Sequence, residues 1–428
     1  MKQLFHWMLF EITKSLLALY RPTVIAVTGT VGKTSTKAMI GAVLGALDRT
    51  ARVSQESFNT EWGVPLTVIG GTYPAGSWWG WFSVALRGLF QLIWKNKDYP
   101  KMLVLEFGAD RPGDIRALVE LTRPSVGVLT AISPVHLRNF RNLQEVAREK
   151  FQLLAGLPAN GQAVVGWEVA EGWDASKICA APMLVSGLDE RADVFATDIF
   201  YRTRSNAAAG PGTNFKLHWK GSAVPCVLPD VIGDASVASA CLAAAVGLQM
   251  GIHLIDISRQ LAASMAVPGR MRLIAGIRNT ILIDDSYNSS PKAARQAIHA
   301  LERIAREEGR QTWAVLGDMA ELGQETERAH QELGRFVASA RPSVLVTVGV
   351  NARMIAAEAI RLGYPVERVR RCGDAWEAGR MVQQDLKEGD AVLVKGSQVM
   401  RMERVVKELM ARPLEAEKTL VRQQWWWR

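Results

Sequence analysis

Residues 23–36 read T-V-I-A-V-T-G-T-V-G-K-T-S-T. A short run rich in β-branched side chains, Thr23–Thr28, meets a glycine turn, and a helical pattern (K-A-M-I-G-A-V-L-G-A-L) follows from Lys37. Strand, glycine turn and helix in that order are the setting in which a nucleotide phosphate loop works. Gly29 and Gly32 let backbone N–H groups face phosphate oxygens, and the helix start adds about half a positive charge. Lys33 is placed to reach the β and γ phosphates and Thr34 to offer its hydroxyl to Mg²⁺, with Thr30 and Ser35 completing the loop. The fullest form of the motif has another glycine where this chain has Val27, so the flanking strand and helix carry the reading.

Outward from the loop, M-L-V-L-E-F-G-A-D-R-P-G-D-I at 102–115 ends a strand at Glu106. The carboxyl ends of parallel strands face the ligand crevice, so Glu106 is placed to bind a metal carried by the nucleotide. A further apolar run, V-G-V-L-T-A-I at 126–132, leads into S-P-V-H and puts His136 at the corresponding edge. One Glu and one His at successive strand ends suggest a second Mg²⁺ position.

The chain has 428 residues, more than one hydrophobic core usually supports, so at least two domains are expected. With 48% hydrophobic and 22% charged residues it is neither disordered, collagen-like nor a coiled coil. A net charge of +9 suits an anionic partner such as nucleotide, phosphate or lipid headgroup, but no dense basic block or RNA-binding signature points to nucleic acid. Four cysteines, Cys179, Cys226, Cys241 and Cys372, without C-x-x-C spacing, read as buried thiols in a reducing cytoplasm.

Two segments raise the question of a membrane. Residues 1–20 are apolar, but Glu11 and Lys14 interrupt them and no small-residue cleavage site follows, so an N-terminal helix is expected. Residues 77–94 (S-W-W-G-W-F-S-V-A-L-R-G-L-F-Q-L-I-W) are nearly long enough to span, yet Arg87 sits at their middle, where a charge costs ~2.5–3.5 kcal/mol. Tryptophans at the two ends, followed by Lys95, Lys97 and Lys101, suit a helix in the headgroup region. An insertion packed on its own domain fits the same pattern. The terminal W-W-W-R is either another interfacial anchor or a frayed tail.

The motifs taken together resemble those of the Mur ligases. T-G-T-V-G-K-T-S-T, S-F-N-T-E-W-G-V-P at 57–65, the Glu106 strand, the His136 turn and V-A-R-E-K at 146–150 follow that family's order. P-G-R-M at 268–271, I-D-D-S-Y-N-S-S-P at 283–291, V-L-G-D-M-A-E-L-G at 315–323 and V-L-V-K-G-S at 392–397 are similar to the MurF type, over about residues 22–410. The resemblance implies an α/β protein in which a phosphate-loop central domain is followed by a Rossmann-like C-terminal domain. The expected division is an N-terminal helix in 1–22, an ATP-binding domain at 23–266 with a Trp-rich insertion at 73–100, and a ligase domain at 267–428.

The activity implied is ATP-dependent amide formation in peptidoglycan precursor synthesis, joining D-alanyl-D-alanine to UDP-N-acetylmuramoyl-tripeptide through an acyl phosphate. By the same resemblance Lys33 and Thr34 meet ATP and Mg²⁺, and Thr34, Glu106, His136 and Lys150 hold metal, two Mg²⁺ in all. Lys150 matches a lysine that the family carbamylates, although Phe151 and Gln152 depart from the usual context. Arg270 matches an arginine that approaches the phosphates from the C-terminal domain, and Asp285, Tyr287 and Asn288 a turn that meets the ribose. Lys395 is expected near the incoming substrate, and a hinge is expected near 265–268. Ser239 stands where the family has an adenine-contacting asparagine and Ala235 where it has a histidine, so base selection has to be weaker or rest on backbone groups.

Only about 22 residues precede the loop, where the MurF type has a domain that holds the UDP end of its substrate. UDP recognition is then expected from the 70–100 insertion, a partner, or a membrane surface. A cytoplasmic monomer follows, peripheral at the inner membrane face if the Trp-rich segment docks there. The alternatives are a Mur-type ligase for another carboxylate, polyglutamate-like or lipid-linked, and a phosphate-loop ATPase that drives a membrane partner.

Overall fold

The computed structural model describes residues 2–47, 50–55, 58–74, 77–133, 139–204 and 210–424, with backbone alone for residues 2–4. His136 and the W-W-W-R terminus lie outside the described residues.

Two sheets organise the chain. The first has nine strands: β1 (Thr23–Thr28), β2 (Ala51–Val53), β3 (Met102–Glu106), β4 (Val126–Leu129), β5 (Gln162–Gly166), β6 (Met183–Gly187), β7 (Val194–Arg202), β8 (Gly212–Trp219) and β9 (Ser222–Pro229). Their spatial order is β2-β3-β1-β4-β5-β6-β7-β8-β9, parallel up to β7 and antiparallel through β8 and β9. The central strands are apolar on both faces because helices cover both, which is why 23–28, 102–106 and 126–129 are continuous hydrophobic runs. β8 and β9 form an antiparallel hairpin, with Trp219 opposite Ser222.

Helices α1 (Lys2–Tyr20), α2 (Lys33–Leu44), α3 (Gly63–Ile69), α4 (Trp78–Ile93), α5 (Asp114–Thr122) and α6 (Leu143–Ala155) belong to this half. On one face, α2 and the helix Asp234–Gln249 share a core containing Ile40, Val43, Val128 and Cys241. On the other, α1, α3 and α4 pack over Val24, Ala26 and Leu105. All four cysteines are buried free thiols.

The second sheet runs β10-β11-β15-β12-β13-β14. It comprises β10 (Arg272–Ala275), β11 (Ile281–Asp285), β12 (Thr312–Gly317), β13 (Val344–Val348), β14 (Val369–Cys372) and β15 (Ala391–Lys395). Only the edge strand β10 is antiparallel. The β-branched runs at 281–285, 312–317, 344–348 and 391–395 are its buried core, whereas β10 and β14 are short and partly exposed and carry little periodic signal.

Contacts between the halves hold one arrangement. Arg303 donates to Asp234 at 3.1 Å and lies 4.2 Å over the Tyr201 ring, and Lys292 is ion-paired with Glu168.

Candidate functional site

In the first sheet β1 lies between β3 and β4, so the chain leaves β1 at the point where the strand order reverses. Register sets Val27 beside Glu106 and Thr28 beside Leu129. The phosphate loop therefore opens between two other strand ends. Its glycines are required by geometry. Gly29 has φ +144°, and a Cβ there would lie 2.1 Å from Thr130 Oγ1; Gly32 has φ +85° at the entry to α2.

A cavity of about 650 Å³ sits over this crevice. Thr30, Gly32, Lys33, Thr34, Glu106 and Lys150 line it from the first half, and Arg270, Tyr287 and Asn288 from the second. A second cavity, about 360 Å³, shares Val31 and Gly32 with the first and runs past Ser239, Ala235, Trp167 and Asp189. The phosphate loop thus forms the common wall of two spaces, one polar and lined by charges of both signs, the other flanked by apolar surface. A nucleotide with its base in the smaller space would bring its phosphates into the larger one.

The charges in the larger cavity are balanced unevenly. Lys33 donates to the carbonyl of Gly29 at 2.8 Å, and desolvation in the cleft lowers its pKa. Glu106 is buried, which alone would raise its pKa, but Lys37 and then Lys33 outweigh burial and lower it, so the carboxylate is ionised. Lys37 meets Glu106 at 3.1 Å, and Asn59 and Thr34 donate to its Oε1 at 3.2 and 3.4 Å. Across the cleft, Arg270 donates to Thr34 Oγ1 at 3.4 Å and stacks 4.1 Å from the Tyr287 ring, while its buried Nε makes no hydrogen bond among the described residues. That donor suits a phosphate oxygen.

Thr34 and Glu106 fit a Mg²⁺ ion in kind: a hydroxyl beside a carboxylate, with room for phosphate oxygens to complete the shell. The described residues contain no cluster of three or more His, Cys, Asp or Glu able to hold a metal by themselves. Lys150, on α6, is buried, and no carboxylate lies within 4 Å of its ammonium among the described residues. Desolvation first and Lys33 second bring its pKa down to about 7. Its neighbour Glu149 accepts from the backbone N–H groups of Gly113 and Ile115 and so ties α6 to the start of α5.

Several expected residues stand elsewhere. Gly29 and Ser35 support the loop without lining either cavity, whereas Ser239 does line the smaller one, with its hydroxyl turned back to the carbonyl of Ala235 at 2.9 Å. Asp285 does not line either cavity: it lies beneath the turn, 2.6 Å from Lys395, and accepts from the Met271 N–H. Lys395, expected beside substrate, is buried and also donates to the carbonyl of Asn288 at 2.9 Å. β11 and β15 are in register there, Asp285 opposite Lys395, so the ammonium is spent inside the sheet.

The sequence did not single out Lys37, Asn59 or Arg422. Lys37 follows Lys33 by four residues, one helical turn, and that spacing was the available signal. Arg422 lies near the C-terminus with no local motif, yet it donates to the carbonyls of Ser286 (2.6 Å) and Tyr287 (3.0 Å) and to Glu403 (2.9 Å). Tyr287 is consequently held between Arg270 and Arg422.

Comparison with known proteins finds relatives over most of the chain. The family model for the Mur ligase middle domain matches residues 88–247, and that for the Mur ligase glutamate ligase domain matches residues 269–398. A UDP-N-acetylmuramoyl-tripeptide–D-alanyl-D-alanine ligase of Mycobacterium tuberculosis is 30% identical over 408 residues, covering 91% of this chain and 73% of that protein. The crystal structure of MurF from Acinetobacter baumannii is similar at a TM-score of 0.75 and 25% identity, covering 93% of this chain and 79% of that one. A MurF ligase from Thermotoga maritima in complex with ADP shares the fold, with a TM-score of 0.76, 24% identity, and coverage of 96% and 84%. The chain belongs to the Mur ligase family.

Proposed function

We propose that this protein is an ATP-dependent carbon–nitrogen ligase that joins D-alanyl-D-alanine to UDP-N-acetylmuramoyl-tripeptide, a step of peptidoglycan precursor synthesis in the cytoplasm. The observation that carries the reading is the cleft: Lys33, Thr34 and Glu106 from one sheet and Arg270 from the other converge on a single space. The similarity to ligases named for this reaction supports the choice of substrates. The two sheets, separated between β9 and β10, support a domain division near 266/267.

An amide does not form from a free carboxylate in water without activation. In this reading the peptide carboxylate attacks the γ-phosphorus of ATP, ADP leaves, and the acyl phosphate is then attacked by the amine of the dipeptide, releasing phosphate. Lys33 and Arg270 neutralise charge on the phosphoryl oxygens, and the loop N–H groups orient them. Thr34 and Glu106 would hold Mg²⁺, which would supply further charge neutralisation when bound. Tyr287 and Asn288 border the nucleotide from the second half. No protein nucleophile is needed.

Lys150 is suited to carbamylation. A buried lysine with a pKa of about 7 is largely a free amine at slightly alkaline pH and can add CO₂, and the resulting carbamate is an anion able to face a cation. Carbon-13 NMR with labelled bicarbonate tests it: a carbamate resonance that Lys150→Met removes is expected, and its absence from the active wild-type protein would exclude the modification.

The decisive assay mixes the protein with ATP, Mg²⁺, UDP-muramoyl tripeptide and D-alanyl-D-alanine and weighs the product. A pentapeptide is expected, with phosphate release that requires both the carboxylate and the amine. Phosphate release unchanged without either substrate would instead indicate an ATPase, and release with a different acid only would reassign the substrate.

A further inference from the structure

Helix α4 spends little of its surface on its own domain. It buries Val84, Ala85, Gly88 and Gln91. At Gly88 it crosses α1 so closely that a Cβ would stand 2.5 Å from Ile12 Cγ2. Gln91 Nε2 donates to the carbonyl of Ile69 at 3.0 Å and the Tyr20 hydroxyl to the carbonyl of Gln91 at 2.8 Å, which fixes the helix in place.

The outer face is built from large apolar side chains at helical spacing. Phe82, Leu86, Leu89 and Ile93 are 55%, 55%, 41% and 70% exposed. Trp79 at the start is 82% exposed and Trp94 just past the end 59%, and Phe5 of α1 packs edge-on against Trp78 and Trp81 beside them. A large apolar patch on a folded chain marks an interaction surface.

Charge decides between occupants. Between Trp78 and Lys101 the chain carries Arg87, Lys95, Lys97 and Lys101 against the one acid Asp98, and all four cations are exposed. None of the four has a carboxylate within 4 Å among the described residues. An apolar stripe with tryptophans at both ends and unpaired cations beside it matches a bilayer's interfacial zone, where rings sit at headgroup level and lysines meet lipid phosphates. No described helix is long and apolar enough to cross a membrane, and Arg87 in the middle of α4 argues for lying in the surface.

We propose that α4, with the adjoining end of α1, is a docking surface for an anionic lipid bilayer. The helix lies in the headgroup plane with Phe82, Leu86 and Ile93 inserted and Lys95, Lys97 and Lys101 over lipid phosphates. This surface is independent of the nucleotide cleft and does not rest on the ligase reading.

The test sediments the full chain with vesicles of phosphatidylcholine alone or mixed with phosphatidylglycerol. Co-sedimentation is expected with the mixed vesicles, at least tenfold weaker with the neutral ones, and weakened by salt. Lys95→Gln/Lys97→Gln is expected to lower partition on the order of tenfold to thirtyfold. Phe82→Glu/Ile93→Glu should abolish binding while leaving Tm unchanged, since both side chains are exposed. Failure to sediment with either vesicle, or equal binding to both, overturns the proposal. So does a dimer mass in sedimentation equilibrium that Phe82→Glu/Ile93→Glu abolishes, which would assign the face to a second copy.

Discussion

Each sheet carries a buried lysine–carboxylate pair at its strand ends, and the two do different work. Lys37 and Glu106 meet at 3.1 Å at the end of β3, Lys395 and Asp285 at 2.6 Å where β11 and β15 end together. Glu106 keeps a face toward the cleft, where its other contacts come from Thr34 and Asn59 at 3.4 and 3.2 Å, lengths that a ligand can displace. Asp285 has no such freedom: it accepts from Lys395 and from a backbone N–H, and Lys395 also ties down the carbonyl of Asn288. An ion pair of one chemical type is thus a ligand-facing group in the first half and a brace beneath a turn in the second. What separates them is the unused bonding capacity left pointing into the cavity.

The brace should break hardest. Lys395→Met leaves Asp285 buried and uncompensated, and a loss of about 3–5 kcal/mol in denaturant unfolding is expected. Replacing both partners, Lys395→Met with Asp285→Leu, should restore most of it. An unchanged midpoint with lost turnover would mean that Lys395 meets substrate after all and would end the distinction.

On the ligand side, Lys33→Ala should cut product formation by roughly 10²–10³-fold with little change in Tm, because its one hydrogen bond among the described residues is to the Gly29 carbonyl. A fall in Tm as large as that of Lys395→Met would show the first half to be braced in the same way as the second.

Lys150 sharpens the contrast as a buried lysine with no carboxylate within 4 Å among the described residues. Its folded pKa, about 7, lies below the usual 10.5. Below pH 7 both folded and unfolded chains carry the proton, and the cost of burying the charge is present in full. As pH rises from about 7 to 10.5 the folded chain has already released it, and the cost fades. In CO₂-free buffer, Lys150→Met should therefore be more stable than wild type at pH 6.5, by on the order of 5 kcal/mol, with the gap closing toward pH 10. A constant gap across that range would place an unsuspected partner on Lys150.

The smallest effect is expected from Arg422→Ala. Loss of its bonds to the Ser286 and Tyr287 carbonyls loosens the turn that carries Tyr287, and a roughly tenfold fall in kcat is expected, for about 1.5 kcal/mol. Arg422→Lys, which keeps the charge but not the fork, should recover part of it. A change in Tm with kcat untouched would make Arg422 a brace only.

Much of the first half is legible in the chain because its signals are local. The β-branched run before Gly29, the glycines at positive φ and the apolar runs ending at Glu106 and Leu129 each depend on neighbours a few residues away. Lys33, Thr34 and Glu106 are readable for that reason, and the Mur ligase motifs extend the reading to Arg270 and Tyr287. Lys395 and Asp285 are readable as motif members but not as to role, since K-G-S and D-D-S-Y-N look the same whether their charges face a cleft or each other. Nothing near Arg422 marks it, because the turn it clamps is more than 130 residues earlier.

The amino-acid sequence alone therefore determined the phosphate loop and the apolar strand runs around it, since backbone sterics and apolar periodicity act over a few residues, while the α/β class and the second domain were implied by the resemblance. Tertiary structure alone decided which charges cancel and which remain available. Arg270 reaches Thr34 across 236 positions and Lys395 reaches Asp285 across 110, and such partners are chosen by strand register and sheet order rather than by any neighbouring residue.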